Sequence, residues 1–313
     1  MKLALAGDTM LGRGVAERIA ADGPNSLFAP ELVAAVREVD LCVLNLECCI
    51  SERGAPAPSS VFSFRAPPAA AEALAGLGAD CVTLANNHAL DFGPDALLDT
   101  FAHLESVGIA WAGAGGDLDE ARAPVVLEAG GSRLGVIAAT DHPADYAAAT
   151  ARPGVAYADL ARPHLPDWLA QAIGELEADA ILVSPHWGPN MVAEPVRHVR
   201  AAAPALLEEG ATLIAGHSAH LFHGVDRRVL YDLGDFLDDY AVDPRLRNDL
   251  GLLFLVDLDG DRLEAIPLKL EFAYTRLAEG DDFVLVERRF REACALFGTD
   301  TAEEDGRLVA SWR

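Results

Sequence analysis

Five short segments concentrate the residue types that hold cations and move protons: Gly7-Asp8, Asn45-Leu46-Glu47, Asn86-Asn87-His88, His186-Trp187-Gly188 and Gly216-His217-Ser218-Ala219-His220. Each closes a short apolar run. Singly, each has an ordinary explanation: a lone His is most often a hydrogen-bonded structural residue, and an Asp after a strand is most often a helix cap. Together they demand more, because carboxylates and imidazoles gathered at one place need a countercharge. A divalent ion supplies one, and oxygen with imidazole donors suits manganese, iron, zinc, magnesium or calcium. Asp91, three residues after His88, can orient that imidazole if the segment makes a helical turn. Its competing role, helix N-cap, fits Asp95 better. Arg13 is a candidate for an anionic substrate group or for an ordinary ion pair.

The elements that must position these residues are legible as apolar runs. Leu3–Ala6, Leu41–Leu46, Cys81–Ala85, Leu134–Ala139, Ala180–Ser184 and Thr212–Ala215 are predominantly apolar and uncharged, as strands covered on both faces are. Between them, helices are predicted over Pro30–Val39, Pro68–Leu77, Asp95–Val107, Leu165–Glu177 and Glu194–Glu209. Pro30, Pro68 and Pro195 suit first turns, and Gly78 and Gly210 suit the residue after a helix end. After residue 225 strands are expected over Arg228–Leu233, Leu252–Asp257 and Arg262–Leu270, with Asp259-Gly260 as a hairpin turn. A helix over Asp282–Leu296 and a frayed acidic tail complete the reading: one α/β domain over residues 1–313 with an antiparallel portion near its end. In an open α/β sheet ligands bind beyond the carboxyl ends of strands, where all five polar segments fall.

Composition narrows the partners. The 313 residues carry 49 acidic and 24 basic side chains, a net charge of −25, which repels phosphate backbones and anionic lipid. Nucleic acid and membrane are therefore not expected partners. No apolar stretch reaches the roughly 7–15 residues of a signal peptide core or the roughly 20 of a spanning helix, so a soluble, cytoplasmic protein is expected. The five cysteines show no C-x-x-C spacing, and Cys48 and Cys49 read as small buried hydrophobes. Gly7, Gly12 and Gly14 do not have the spacing of a dinucleotide fingerprint, and no organic cofactor is expected.

The phrases GDTMLGR, NLECCIS, TLANNHALDFG, SPHWG and GHSAH, in this order, resemble the poly-γ-glutamate capsule-synthesis (CapA-like) family of the calcineurin-like metallophosphatase superfamily. The resemblance covers about residues 2–240, with residues 241–313 left as C-terminal strands and helix. It implies a calcineurin-like metallophosphatase fold, a central β-sandwich flanked by helices. It also implies metal ligands at Asp8, at Glu47 as the bridging carboxylate, and at Asn87, His186, His217 and His220. His88 then lies beside the substrate, with Asn86, Trp187 and Arg13 as further substrate contacts. Two departures stand out: Met10 occupies the place of a superfamily His, and Tyr231-Asp232-Leu233-Gly234-Asp235-Phe236 carries Asp where Ser and Asn are usual.

Three functions follow from this reading. In the first, a metal-dependent hydrolase cleaves a phosphoester or amide bond of a peptide-like, carboxylate-bearing substrate, with His88 as proton donor. In the second, the same parts epimerise a peptide α-carbon between two bases, His88 with Asp91 and His217 or His220 with Asp235. Some relatives in peptide natural-product biosynthesis look like such epimerases. The third is a non-catalytic binding protein. Hydrolysis is the leading expectation.

Overall fold

The computed structural model describes residues 1–57, 62–260 and 262–311. Among them, a ten-stranded mixed sheet has at its centre the strand Lys2–Thr9, flanked on one side by parallel strands Leu41–Leu46, Cys81–Thr83 and Ala110–Ala112. On its other side the strands Leu250–Asp257, Arg262–Glu271 and Arg307–Ser311 run antiparallel in succession. A six-stranded sheet is built around Ser132–Thr140, Ala180–His186 and Leu213–Ala215, which are mutually parallel.

Side-chain alternation explains how the two sheets stack. Leu3, Leu5, Leu41 and Val43 share one apolar cluster with Leu134, Val136, Leu182 and Leu213 from the second sheet. The intervening Ala4, Ala6, Cys42 and Leu44 point the opposite way, into a cluster with the helices Pro30–Val36, Ala69–Leu77 and Pro94–Ser106. On the far side, Ile181 and Val183 pack with Leu169, Ile173, Val199 and Leu206 of helices Asp167–Gly174 and Arg197–Glu208. Period-two strands buried on both faces thus give helix, sheet, sheet, helix layering.

The six early strands lie where the apolar runs predict them, within a few residues at each end. Helix starts differ. Pro30 is a first-turn residue, but Pro68 precedes its helix and Pro195 lies two residues ahead of Arg197. Gly93, and not Asp95, is the N-cap of Pro94–Ser106, leaving Asp95 in the first turn. The tail is not frayed: Thr301–Glu304 and Arg307–Ser311 form a hairpin that extends the large sheet, with Leu308 and Ala310 in the inter-sheet core. Its polar, acidic residues face outward, so composition concealed an edge strand. The connection at Asp259-Gly260 joins the antiparallel strands Leu250–Asp257 and Arg262–Glu271; it includes residue 261, which lies outside the described residues.

Candidate active site

All five polar segments meet at the carboxyl ends of the parallel strands. Asp8 ends the central strand, 1% exposed, and its Oδ1 accepts a hydrogen bond from Asn45 Nδ2 at 2.7 Å. Gly7 makes this possible: a Cβ there would stand 1.9 Å from the Gly234 carbonyl oxygen. Without a side chain, Asp8 N–H donates to that carbonyl at 2.9 Å, and Asp235 becomes the register partner of Asp8. His186 ends its strand beside His217, with the two Nδ1 atoms 2.7 Å apart. The 217–220 loop is strained, with φ of 119° at Ser218 and 59° at His220. Asp232 stabilises it by accepting from Ala219 N–H at 2.8 Å and from Gly234 N–H at 2.9 Å. The Asp at this position thus supports the loop from below.

Two imidazole–carboxylate pairs flank the cluster. His88 Nδ1 is 2.7 Å from Asp91 Oδ2 across the expected turn, and its Nε2 points to Glu47 Oε1 at 4.0 Å. Asp91 also accepts from Phe64 N–H at 2.7 Å and from the Tyr146 hydroxyl at 3.4 Å, so its position is fixed from three sides. His220 Nδ1 is 2.7 Å from Asp235 Oδ1 and 3.4 Å from Asp8 Oδ2.

The donors fit a cation. Asp8 Oδ2, Glu47 Oε1, Asn87 Oδ1, Asp235 Oδ2 and Asp238 Oδ2 are buried oxygens without a hydrogen-bond partner, a costly state for polar atoms unless a cation joins them. Among the described residues two groups could hold a metal ion: Asp8, His186 and His217, and Asp8, Glu47 and His220. Neither contains cysteine. Asp8 is common to both, so the shared carboxylate is Asp8, while Glu47, expected to bridge, belongs to one group. His217 falls in the first group and His220 in the second.

Electrostatics agree with the geometry. Burial, reinforced by Asp8, pushes Glu47 well above the usual carboxylate range, and burial pushes Asp235 up to about 6. Burial pulls His217 down to about 4 and, together with His217, pulls His186 down, so both are neutral imidazoles able to donate a lone pair. Burial also disfavours a cationic His220, but Asp235, Glu47 and Asp8 outweigh it and raise the imidazole well above its ordinary value.

Of the three expected substrate contacts, Asn86 and Trp187 are taken up by buried partners and Arg13 lies at the rim. Asn86 is fully buried and spends its amide on Asn45 Oδ1, the Leu46 carbonyl and the His88 N–H, so it holds the His88 loop in place. Trp187 is 2% exposed and donates to the Tyr231 carbonyl at 2.9 Å, a core role beneath the His217 loop. Arg13 pairs with Asp239 and lies over the rings of Phe64 and Tyr240 at 5.1 and 5.5 Å, on the rim of the site. Cys48 and Cys49 are buried, and burial raises both thiols, Cys49 to about 12.

Sequence reasoning missed Asp238 and Tyr240. Asp238 is buried near Asp235, which raises it further, and the Tyr240 hydroxyl donates to Glu47 Oε2 at 3.4 Å. The available signal was the Asp238-Asp239-Tyr240 run, one residue after Gly234-Asp235-Phe236. It also missed Asp141, whose carboxylate holds His198 and also His142, the ring of which lies 5.2 Å from that of His186.

No helix among the described residues is long and apolar enough to cross a membrane. A likeness to the crystal structure of a hypothetical protein from Thermus thermophilus covers 88% of this chain and 96% of that one, at 15% identity and a TM-score of 0.45. Over 241 residues the chain is 34% identical to a probable polyglutamine synthesis accessory protein of Mycobacterium tuberculosis, covering 70% of this chain and 62% of that protein. It is 24% identical over 285 residues to the capsule biosynthesis protein CapA of Bacillus anthracis, covering 87% and 68% of the two chains. The chain thus spans less than two thirds of the mycobacterial relative's length. The sequence profile of the bacterial capsule synthesis protein family PGA_cap matches residues 2–240, and the chain belongs to that family.

Proposed function

We propose that this chain is a metal-dependent hydrolase of amide bonds in a carboxylate-bearing, polyglutamate-type substrate, built on a calcineurin-like metallophosphatase fold. The observation that carries the reading is the pair of ligand groups sharing buried Asp8, with the His88–Asp91 pair directed at Glu47. Names of the relatives, which refer to capsule and polyglutamine synthesis, support the substrate class. Asp8, Glu47, Asn87, His186, His217 and His220 would hold the divalent ion. When bound, such an ion supplies Lewis acidity at the scissile carbonyl or phosphoryl oxygen and makes water a better nucleophile near neutral pH.

The chain's own residues do the rest. Asp91 fixes the His88 tautomer, so that Nε2 can deliver a proton to the leaving nitrogen. Asn86 keeps the His88 backbone in register with the Asn45–Glu47 strand end. Arg13, 35% exposed at its side chain, offers the face not taken by Asp239 to a substrate carboxylate at the rim.

A second reading rests on the second imidazole–carboxylate pair, His220 with Asp235. Two such pairs around one cavity are what inversion of a peptide α-carbon by two bases requires. One assay separates the readings: metal-loaded protein incubated with glutamate oligomers in deuterated water. Appearance of new amine termini without α-deuterium supports hydrolysis; α-deuterium without cleavage transfers the assignment to epimerisation. Neither signal with any of the five candidate metals would overturn both.

A further inference from the structure

Two clefts, of about 510 and about 500 Å³, adjoin each other and share Asp159 in their walls. The inner one starts at the candidate site, because His142 in its wall has its ring 5.2 Å from that of His186. Asp141 there is consumed by three donors: His142 Nδ1, His198 Nε2 at 2.9 Å and Gly188 N–H at 3.1 Å. It therefore acts as a clamp that leaves His142 Nε2 and His198 Nδ1 free of any hydrogen bond among the described residues.

The outer cleft is lined by Arg122, Tyr157, Arg162, His164 and Trp168. Arg122 ends the helix Leu118–Arg122 and lies over the Trp168 ring at 4.9 Å. Its Nε is buried without a hydrogen-bond partner, and among the described residues the guanidinium makes no ion pair. Burial pulls its pKa down, with Asp119 opposing only in part. In a chain of net charge −25, an unpaired, partly buried cation is expensive unless something anionic meets it. The lining carboxylates offer little opposition: Asp159 is neutralised by Arg162 at 2.7 Å, and Asp167 sits in the first turn of the helix Asp167–Gly174, where the backbone dipole offsets its charge.

We propose that the two clefts form one groove for the anionic chain flanking the reacting bond. Arg122, stacked on Trp168, anchors a carboxylate remote from that bond, and His142 and His198 line the stretch nearest the cluster. The groove rests on the hydrolase reading only for where the reaction occurs. Arg122 is a binding residue here, because it lies away from the reacting atoms.

The test is fluorescence anisotropy of a labelled γ-linked glutamate oligomer on wild type, Arg122→Gln and Arg122→Lys, at low and high salt. Polyphosphate of matched length serves as a second probe, and thermal melting checks that each variant is folded. Arg122→Gln should weaken oligomer binding about tenfold, the loss of one charge-assisted contact, with Arg122→Lys intermediate and the wild-type affinity falling with salt. Equal binding by wild type and a folded Arg122→Gln, no binding by wild type, or preference for polyphosphate would each overturn the proposal. Arg122-dependent binding without cleavage would leave the groove standing and remove the hydrolase. Cleavage of the oligomer at a wild-type KM by Arg122→Gln would do the reverse.

Discussion

Asp8 and Asp235 are register partners in parallel strands, and each keeps a buried carboxylate Oδ2 without a hydrogen-bond partner. His220 stands between them, and Glu47 adds a third carboxyl to the same cavity. One imidazolium cannot balance this set, so the fold without a cation stores repulsion for the benefit of ion binding. Asp8→Asn should therefore raise the stability of chelator-treated protein, on the order of 1–2 kcal/mol, while abolishing metal uptake. Thermal melts in chelator and elemental analysis after metal loading measure the two effects. A variant that melts lower and still retains metal would contradict this account.

Gly7 is the steric condition for that pairing. Because a Cβ there would stand 1.9 Å from the Gly234 carbonyl oxygen, Gly7→Ala must push the Asp235 strand away from the central strand. We expect a loss of about 1–3 kcal/mol in urea unfolding, the usual range for overpacking, with weaker metal binding. Wild-type unfolding midpoint and metal affinity in Gly7→Ala would show that the turn can yield.

The cluster was legible where one strand announces itself and its last residue is polar. Asp8, Glu47, His88, His186 and His217 each end an apolar run, and alternation alone makes such runs buried strands. What sequence could not reveal depended on long-range register. Asp141 precedes a loop that returns to His198 fifty-seven positions later, and nothing local links them. Asn86 and Trp187 looked available because they neighbour site residues, yet both are consumed by buried partners that only the folded chain supplies. The closing hairpin was hidden for a different reason: its outer strand Thr301–Glu304 buries no apolar residue, and only Leu308 and Ala310 of the inner strand reach the inter-sheet core, so the acidic run looked like a tail.

The segment leading from Ser51 is tied to the helix Pro94–Ser106 by Asp99, which accepts from Arg53 and from the Ser51 hydroxyl at 2.6 Å. Arg53, chiefly by hydrogen bonding, holds the Asp99 carboxyl down at about 2. A depressed folded-state pKa means that the stabilisation is fully present above the unfolded value, about 4, and is lost as pH falls through about 2. Asp99→Asn should consequently be less stable than wild type at neutral pH, with the difference shrinking between pH 4 and 2. Chemical denaturation across that range reads it directly. A difference that grows on acidification would have the sign wrong.

His88 gives the sharpest mechanistic prediction. Its Nδ1 is engaged by Asp91 at 2.7 Å, while Nε2 faces Glu47 Oε1 at 4.0 Å, outside hydrogen-bond reach and with room for a substrate atom or water between them. The imidazole belongs to neither ligand group, so it can be removed without dismantling the cluster. His88→Ala or His88→Asn should lower turnover by roughly 10²–10⁴, the usual contribution of general acid–base catalysis, with metal content retained. Asp91→Asn should cost less, because it withdraws orientation and charge but leaves the imidazole. It should also loosen the Phe64 backbone and the Tyr146 hydroxyl, both of which donate to Asp91. Steady-state kinetics on glutamate oligomers, with elemental analysis of each variant, decide the matter. Full activity in His88→Ala would remove this residue from the chemistry, and loss of metal with activity would make it a ligand.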